Sequence, residues 1–258
     1  MAAKWVKFPY ADKAYVHDSA SLKKHWDRLH AGDREPFPKD ADAQTAWRYF
    51  HAGEFQQAVE VGTKAGGAAT NAAVKAQTVY AIYLEKSEKA KLPLFEEAAG
   101  WAAAHQEEAP KDANAFYLYA FALGRYSQAI SVVKALAQGF GGKIKSALTT
   151  ALKLNPSHAD AHTAFGAYQA EVIGKVGALV AGMTYGAKKD SALEHYQKAI
   201  KLNPDSAIAR IEYGNGLILL MGNSQIGEAT KLYEQAVKCK PVDAMERLDV
   251  ELARSELE

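Results

Sequence analysis

Apolar positions along this chain recur at three- and four-residue intervals from about residue 39 onward, and they are interleaved with alanine. No run alternates β-branched with polar residues, so the spacing predicts helices almost throughout and no strands. Three segments close in the same way: Ala151-Leu152-Lys153-Leu154-Asn155-Pro156, Ala199-Ile200-Lys201-Leu202-Asn203-Pro204 and Ala236-Val237-Lys238-Cys239-Lys240-Pro241. Each reads as the end of a helix stopped by proline. Self-similarity at this spacing predicts stacked units, none of which buries its apolar face alone.

The first 38 residues form an N-terminal extension with a different texture. Asp18-Ser19 is placed to cap a helix carrying Leu22, Trp26 and Leu29 on one face, and Gly32 is placed to stop it. Pro36-Phe37-Pro38 then forces an extended connection, and the extension is expected to pack on the first repeat. A first helical pair runs from Ala46 and Tyr49, through a turn at Gly53, to Phe55, Ala58 and Ala65. A second spans about 71 to 108, with a break expected near Pro93. After Pro241, Asp243 begins a terminal helix through Met245, Leu248 and Leu252. Its Glu246, Arg247, Glu251 and Arg254 are expected to face outward, as on a solubilising end cap.

Proline spacing shows that the units are unequal: 46 residues from Pro110 to Pro156, 48 to Pro204 and 37 to Pro241. The units resemble the tetratricopeptide repeat, whose period is about 34 residues. His162, Phe165, Gly166 and Gln169 stand at the first-helix positions of one unit, with Ala192, Tyr196, Ala199 and Pro204 on its second helix. Arg210, Tyr213, Gly214 and Leu217, then Ala229, Tyr233, Ala236 and Pro241, repeat the pattern. Phe116, Tyr119, Ala120 and Leu123 begin a third unit, with a degraded second helix at Leu148 and Ala151. The resemblance covers residues 39–241 and implies an all-α, right-handed superhelix of about five antiparallel helix pairs. The surplus in the two long units lies between their helices and ends in Phe140-Gly141 and Tyr185-Gly186. That feature is similar to the regulator of microtubule dynamics family of tetratricopeptide proteins. Only the scaffold motif carries the likeness, and it implies partner binding rather than chemistry.

Composition narrows the function. Hydrophobic residues make up 48% and charged residues 24%, which is globular usage. A net charge of +1 supplies no field to hold nucleic acid. The start of the chain lacks the apolar run of a secretory leader, and no segment has the length and apolarity of a spanning helix. The lone Cys239 fits a reducing compartment, so a cytoplasmic location is expected.

Chemical motifs are sparse: there is no phosphate loop, H-E-x-x-H, C-x-x-C or G-x-S-x-G. Gly139-Phe140-Gly141-Gly142-Lys143 follows no strand and reads as a helix-to-helix corner. His158 and His162, with Glu171 beyond, form the most metal-like string, but two histidines without a third firm ligand fit a helix start better than a metal site. The apolar stretch from Val172 to Gly186 is expected to be buried; the other reading is a flap or membrane-touching helix. Ala129–Leu136 is expected to be buried likewise.

Function therefore falls to the concave groove. Its inward positions are Asn114, Tyr117, Phe121, Gly124 and Arg125; Asp160, Thr163, Ala167, Ala170 and Glu171; and Ile208, Ile211, Asn215, Ile218 and Leu219. Tyr117, Phe121, Arg125, Thr163, Glu171 and Asn215 are the candidate binding residues, since aromatic and arginine side chains dominate anchoring. The expected function is a non-enzymatic scaffold binding a protein or peptide segment, with no cofactor and with self-association open. The alternative is a groove closed by the inserted apolar helices, leaving a pocket for a small apolar or acidic ligand fixed by Arg125 and Glu171.

Overall fold

Side-chain caps mark where several helices of this chain begin. In the computed structural model, which describes residues 5–258, Asp18, Asp40, Ser87, Asp112, Ser206 and Asp243 each accept an N–H from the turn they precede. Such a bond satisfies a donor that the helix itself leaves open. The part of the N-terminal leader reading that falls on residues 1–4 lies outside the described residues.

After α1 (Ser19–Leu29) come, among the described residues, five helix pairs. The first two are α2 (Ala41–Ala52) with α3 (Phe55–Ala65), and α4 (Thr70–Tyr83) with α5 (Glu88–Glu108). In the third pair α7 (Val132–Ala137) separates α6 (Ala113–Ile130) from α8 (Phe140–Leu154). In the fourth, α10 (Ala178–Val180) and a π-turn over Ala181–Tyr185 separate α9 (Ala159–Val176) from α11 (Lys189–Leu202). The fifth joins α12 (Ala207–Met221) to α13 (Ile226–Val237), and α14 (Ala244–Ser255) follows. The fold is an all-α tetratricopeptide-like superhelix.

Close packing explains the repeated Gly and Tyr positions. The ring of Tyr196, 1% exposed, lies so close to Gly166 and Gly216 that a Cβ at either would press on it. Gly214 meets the ring of Tyr233 in the same way. Glycine on the first helix thus admits the tyrosine of the second, which sets the close approach of neighbouring helices.

Two local expectations are corrected. The chain breaks between Leu84 and Ser87, not at Pro93, which sits inside α5. There it forfeits one backbone bond near the helix start, where few have yet formed. Helix α1 ends at Leu29, with His30 as its cap, ahead of Gly32. Gly32 serves contact instead: its carbonyl accepts the Asp160 N–H at 3.1 Å, and the Asp160 carboxylate occupies the space a Cβ would need.

The extension and the terminal helix both reach beyond the first pair. Trp5 stacks on Tyr80 of α4 at 3.9 Å between ring centres, and Phe8 packs on Gly53. Helix α14 folds back onto the N-terminal half, and Ala244 and Leu248 join the core that holds Leu22, Trp26 and Trp47. Glu246 does not face freely outward: Arg28 donates to both its oxygens, at 2.5 and 3.0 Å. Asp243 accepts from His51 at 2.8 Å, and Tyr83 donates to Asp249 at 2.5 Å.

The inserts are less buried than the apolar pattern implied. Ser131 takes φ 90° and turns the chain out of α6, leaving Val133 55% exposed. Gly177, at φ 78°, ends α9, and Leu179, Val180 and Met183 stand on the surface. The two inserts meet one another, with Tyr185 against Gly141 and Lys145 Nζ donating to the Tyr185 carbonyl at 2.8 Å.

Candidate binding cavity

The inner faces of α6 and α9 supply a ladder of side chains at helical spacing. Tyr117, Phe121, Gly124 and Arg125 lie along α6, and Asp160, Thr163, Ala167 and Glu171 along α9. Together they line one cavity of about 120 Å³. Leu136 of α7 and Ile144 and Leu148 of α8 form an apolar wall, so the first insert contributes to the lining. Tyr83 of α4, Ile208 and Glu212 of α12, and Met245 and Asp249 of α14 also line it. A space of this size with aliphatic and aromatic walls accepts one ring or a short alkyl chain.

Aromatic geometry gives the cavity a rigid side. The rings of Tyr117 and Phe121 lie nearly parallel, 5.9 Å apart, and the Arg125 guanidinium sits 5.7 Å from the centre of Phe121. Arg125 is already committed, because it donates to Glu212 at 2.8 Å and to Gln128 at 3.1 Å. Burial alone would lower its pKa, but Glu212 beside it raises it, so it remains charged. Tyr117 is 4% exposed, and its hydroxyl makes no hydrogen bond among the described residues. Tyr168, 8% exposed, also leaves its hydroxyl unpaired at the wall.

The carboxylates of the lining are perturbed. Burial pushes Asp249 up to about 8 against the bond from Tyr83, with Glu246, Asp243 and Asp160 adding to the rise. Burial raises Asp160 to about 6, partly countered by Lys75. Glu171 is raised by burial, while Lys175 pulls it down. Asp160 and Asp249 also line an adjoining crevice that holds Asp33, Lys75 and Asp243.

Five of the six candidate residues, Tyr117, Phe121, Arg125, Thr163 and Glu171, therefore share this cavity. Asn215 does not: its Oδ1 accepts from Tyr233 at 2.6 Å, and the adjacent face of α12 is covered. Ile211 packs there with Val250 and Ala253 of α14, so the groove is filled at its last repeat. Asp249 and Glu212 were missed as lining residues. Asp249 follows Met245 by one helical turn on the terminal helix, and that spacing placed it beside the apolar stripe. Glu212 adjoins the inward position Ile211.

The metal-like string is dispersed. His158 caps α9, its Nδ1 accepting the Ala161 N–H at 3.1 Å while its Nε2 pairs with Asn114 at 2.8 Å. His162 pairs instead with His195 at 2.7 Å. Among the described residues no three His, Cys, Asp or Glu side chains are placed to hold a metal ion. Gly139, at φ 78°, makes the turn into α8. Among the described residues no helix is long and apolar enough to cross a membrane.

Among solved structures, the chain is similar to a thermophilic TPR protein of Thermus thermophilus. The two share 17% identity and a TM-score of 0.55, over 83% of this chain and 97% of that one. At that identity the likeness shows the fold alone. MamA protein, 19% identical over 76% of this chain and 88% of its own, superposes with a TM-score of 0.38, too low to carry an argument. No curated protein sequence matches. Residues 53–257 match the family model described as regulator of microtubule dynamics protein 1-3, and that span includes both inserts, every cavity-lining residue and α14. The chain belongs to the regulator of microtubule dynamics protein 1–3 family.

Proposed function

We propose that this helical-repeat scaffold is a binding protein that holds a small, mainly apolar ligand inside its superhelix, rather than a peptide laid along an open groove. One observation carries the reading. The inward residues of α6 and α9 converge on a single cavity that α7, α8, α12 and α14 wall in. An extended peptide needs a continuous concave surface, whereas here α14 covers the α12 end at Ile211. Binding rather than catalysis is supported by the commitments of the polar groups. Thr163 donates its hydroxyl to the Ala159 carbonyl, and Arg125 is held by Glu212.

Gly124 permits a direct test. It lines the cavity, and a Cβ built on it meets nothing within 4 Å. Gly124→Leu should fill the cavity while favouring the helix, by up to about 1 kcal/mol from propensity. Calorimetric titration with 1-hexanol should show saturable binding to wild type, in the millimolar to micromolar range for roughly seven heavy atoms. The Gly124→Leu protein should melt no lower and bind no hexanol. Equal binding by both proteins would remove hexanol from the cavity and with it this reading.

A further inference from the structure

The polar side of the cavity has a sign. Among the described residues, Asp160, Glu171, Glu212 and Asp249 face it against one cation, Arg125, which Glu212 already neutralises. The adjoining crevice repeats the imbalance, since its Lys75 is paired with Asp33. Neither Asp160 oxygen has a hydrogen-bond partner among the described residues. Tyr117, buried and unpaired, presents another open acceptor. A ligand bearing a carboxylate or phosphate would enter against an excess of carboxylates and find, among the described residues, no cation that is not already paired, a combination that strongly disfavours it in a low-dielectric site.

We propose, resting on the cavity reading above, that the ligand is a cationic amine on an apolar body, its ammonium held between Asp160 and Asp249 with the Tyr117 hydroxyl as a third acceptor. The apolar part lies against Leu136, Ile144 and Leu148. An ammonium has three donors and no acceptor, which matches a site offering two carboxylates and a hydroxyl. Raised proton affinity fits the same picture: burial lifts Asp249 to about 8 and Asp160 to about 6 even against Lys75, so a cation entering between them relieves the cost of burying their charge. The Arg125–Glu212 pair takes the role of a wall, stacked on Phe121, and not that of an anion clamp.

Three probes with the same six-carbon chain separate charge from shape: hexylamine, 1-hexanol and hexanoate, titrated calorimetrically into the full chain at pH 7.5. Hexylamine should bind about tenfold or more tighter than hexanol, as expected for hydrogen bonds to charged partners, with hexanoate weakest. In the double variant Asp160→Asn/Asp249→Asn, the preference for amine over alcohol should shrink to about threefold or less. Thermal melting of the variant serves as the fold control, since Asn matches the shape of a protonated Asp. Hexanol or hexanoate binding as tightly as the amine would overturn the charge assignment and leave the cavity reading standing. No binding by any of the three would overturn both. An amine preference unchanged in the double variant would place the ammonium elsewhere and refute the site.

Discussion

His158 shows how a single residue ties the repeats together and reports on them. It is fully buried, accepting from the backbone of its own helix and bonded across to Asn114. Asn114 in turn donates to Glu35 of the N-terminal segment, a carboxyl that burial raises well above its ordinary value. Burial also lowers the His158 pKa from 6.5 to about 4, against the pull of Asp33. Below pH 6.5 the unfolded chain therefore binds a proton at this site that the folded chain refuses. The stabilising contribution is complete above 6.5 and is lost as pH falls toward 4, by about 3 kcal/mol in total. Urea midpoints at pH 7 and pH 4.5 should fall less steeply in His158→Gln than in wild type, and parallel slopes would show that His158 is not held neutral. The sequence displayed the histidine at the start of a helix, but a helical pattern carries no information about a partner 44 positions away.

Pairing of helices was readable because its causes are local. Alanine-rich faces and side-chain caps recur along the chain, prolines follow four of the five pairs, and Gly opposite Tyr is a contact between neighbours. Gly216 and Gly124 test that account from opposite sides, since both are glycines inside helices. Gly216→Ala should destabilise by about 1–3 kcal/mol through overpacking against Tyr196, outweighing its gain in helix propensity. Gly124→Ala, facing open space, should stabilise by up to about 1 kcal/mol. Denaturant unfolding of the two variants measures both, and equal effects would mean that the Gly–Tyr contact does not set the packing. The inserts were harder to read. Their apolar residues implied burial, yet Leu179 and Met183 are exposed, because Gly177 turns the chain off α9 before the apolar run is spent. Hydrophobic periodicity records which residues could be buried, and a left-handed turn decides which of them are.

At the scale of the whole molecule, closure matters more than repetition. A solenoid ordinarily leaves its concave side open; here α14 returns across it, held by His51, Arg28 and Tyr83 from three different elements. None of those contacts is local, so the terminal helix carried an amphipathic pattern but no sign of where its apolar side would dock. The same long-range step brings Asp249 to the cavity and closes the α12 end, separating Asn215 from the other five candidate residues. On the proposed reading, the segments that depart from the motif turn a scaffold into a container. The structure of the protein with bound hexylamine tests this most directly. The nitrogen should lie about 3 Å from a carboxylate oxygen of Asp160 or Asp249, with the alkyl chain between α6 and α8. An empty cavity with the amine lodged on the exposed Leu179–Met183 surface would contradict it.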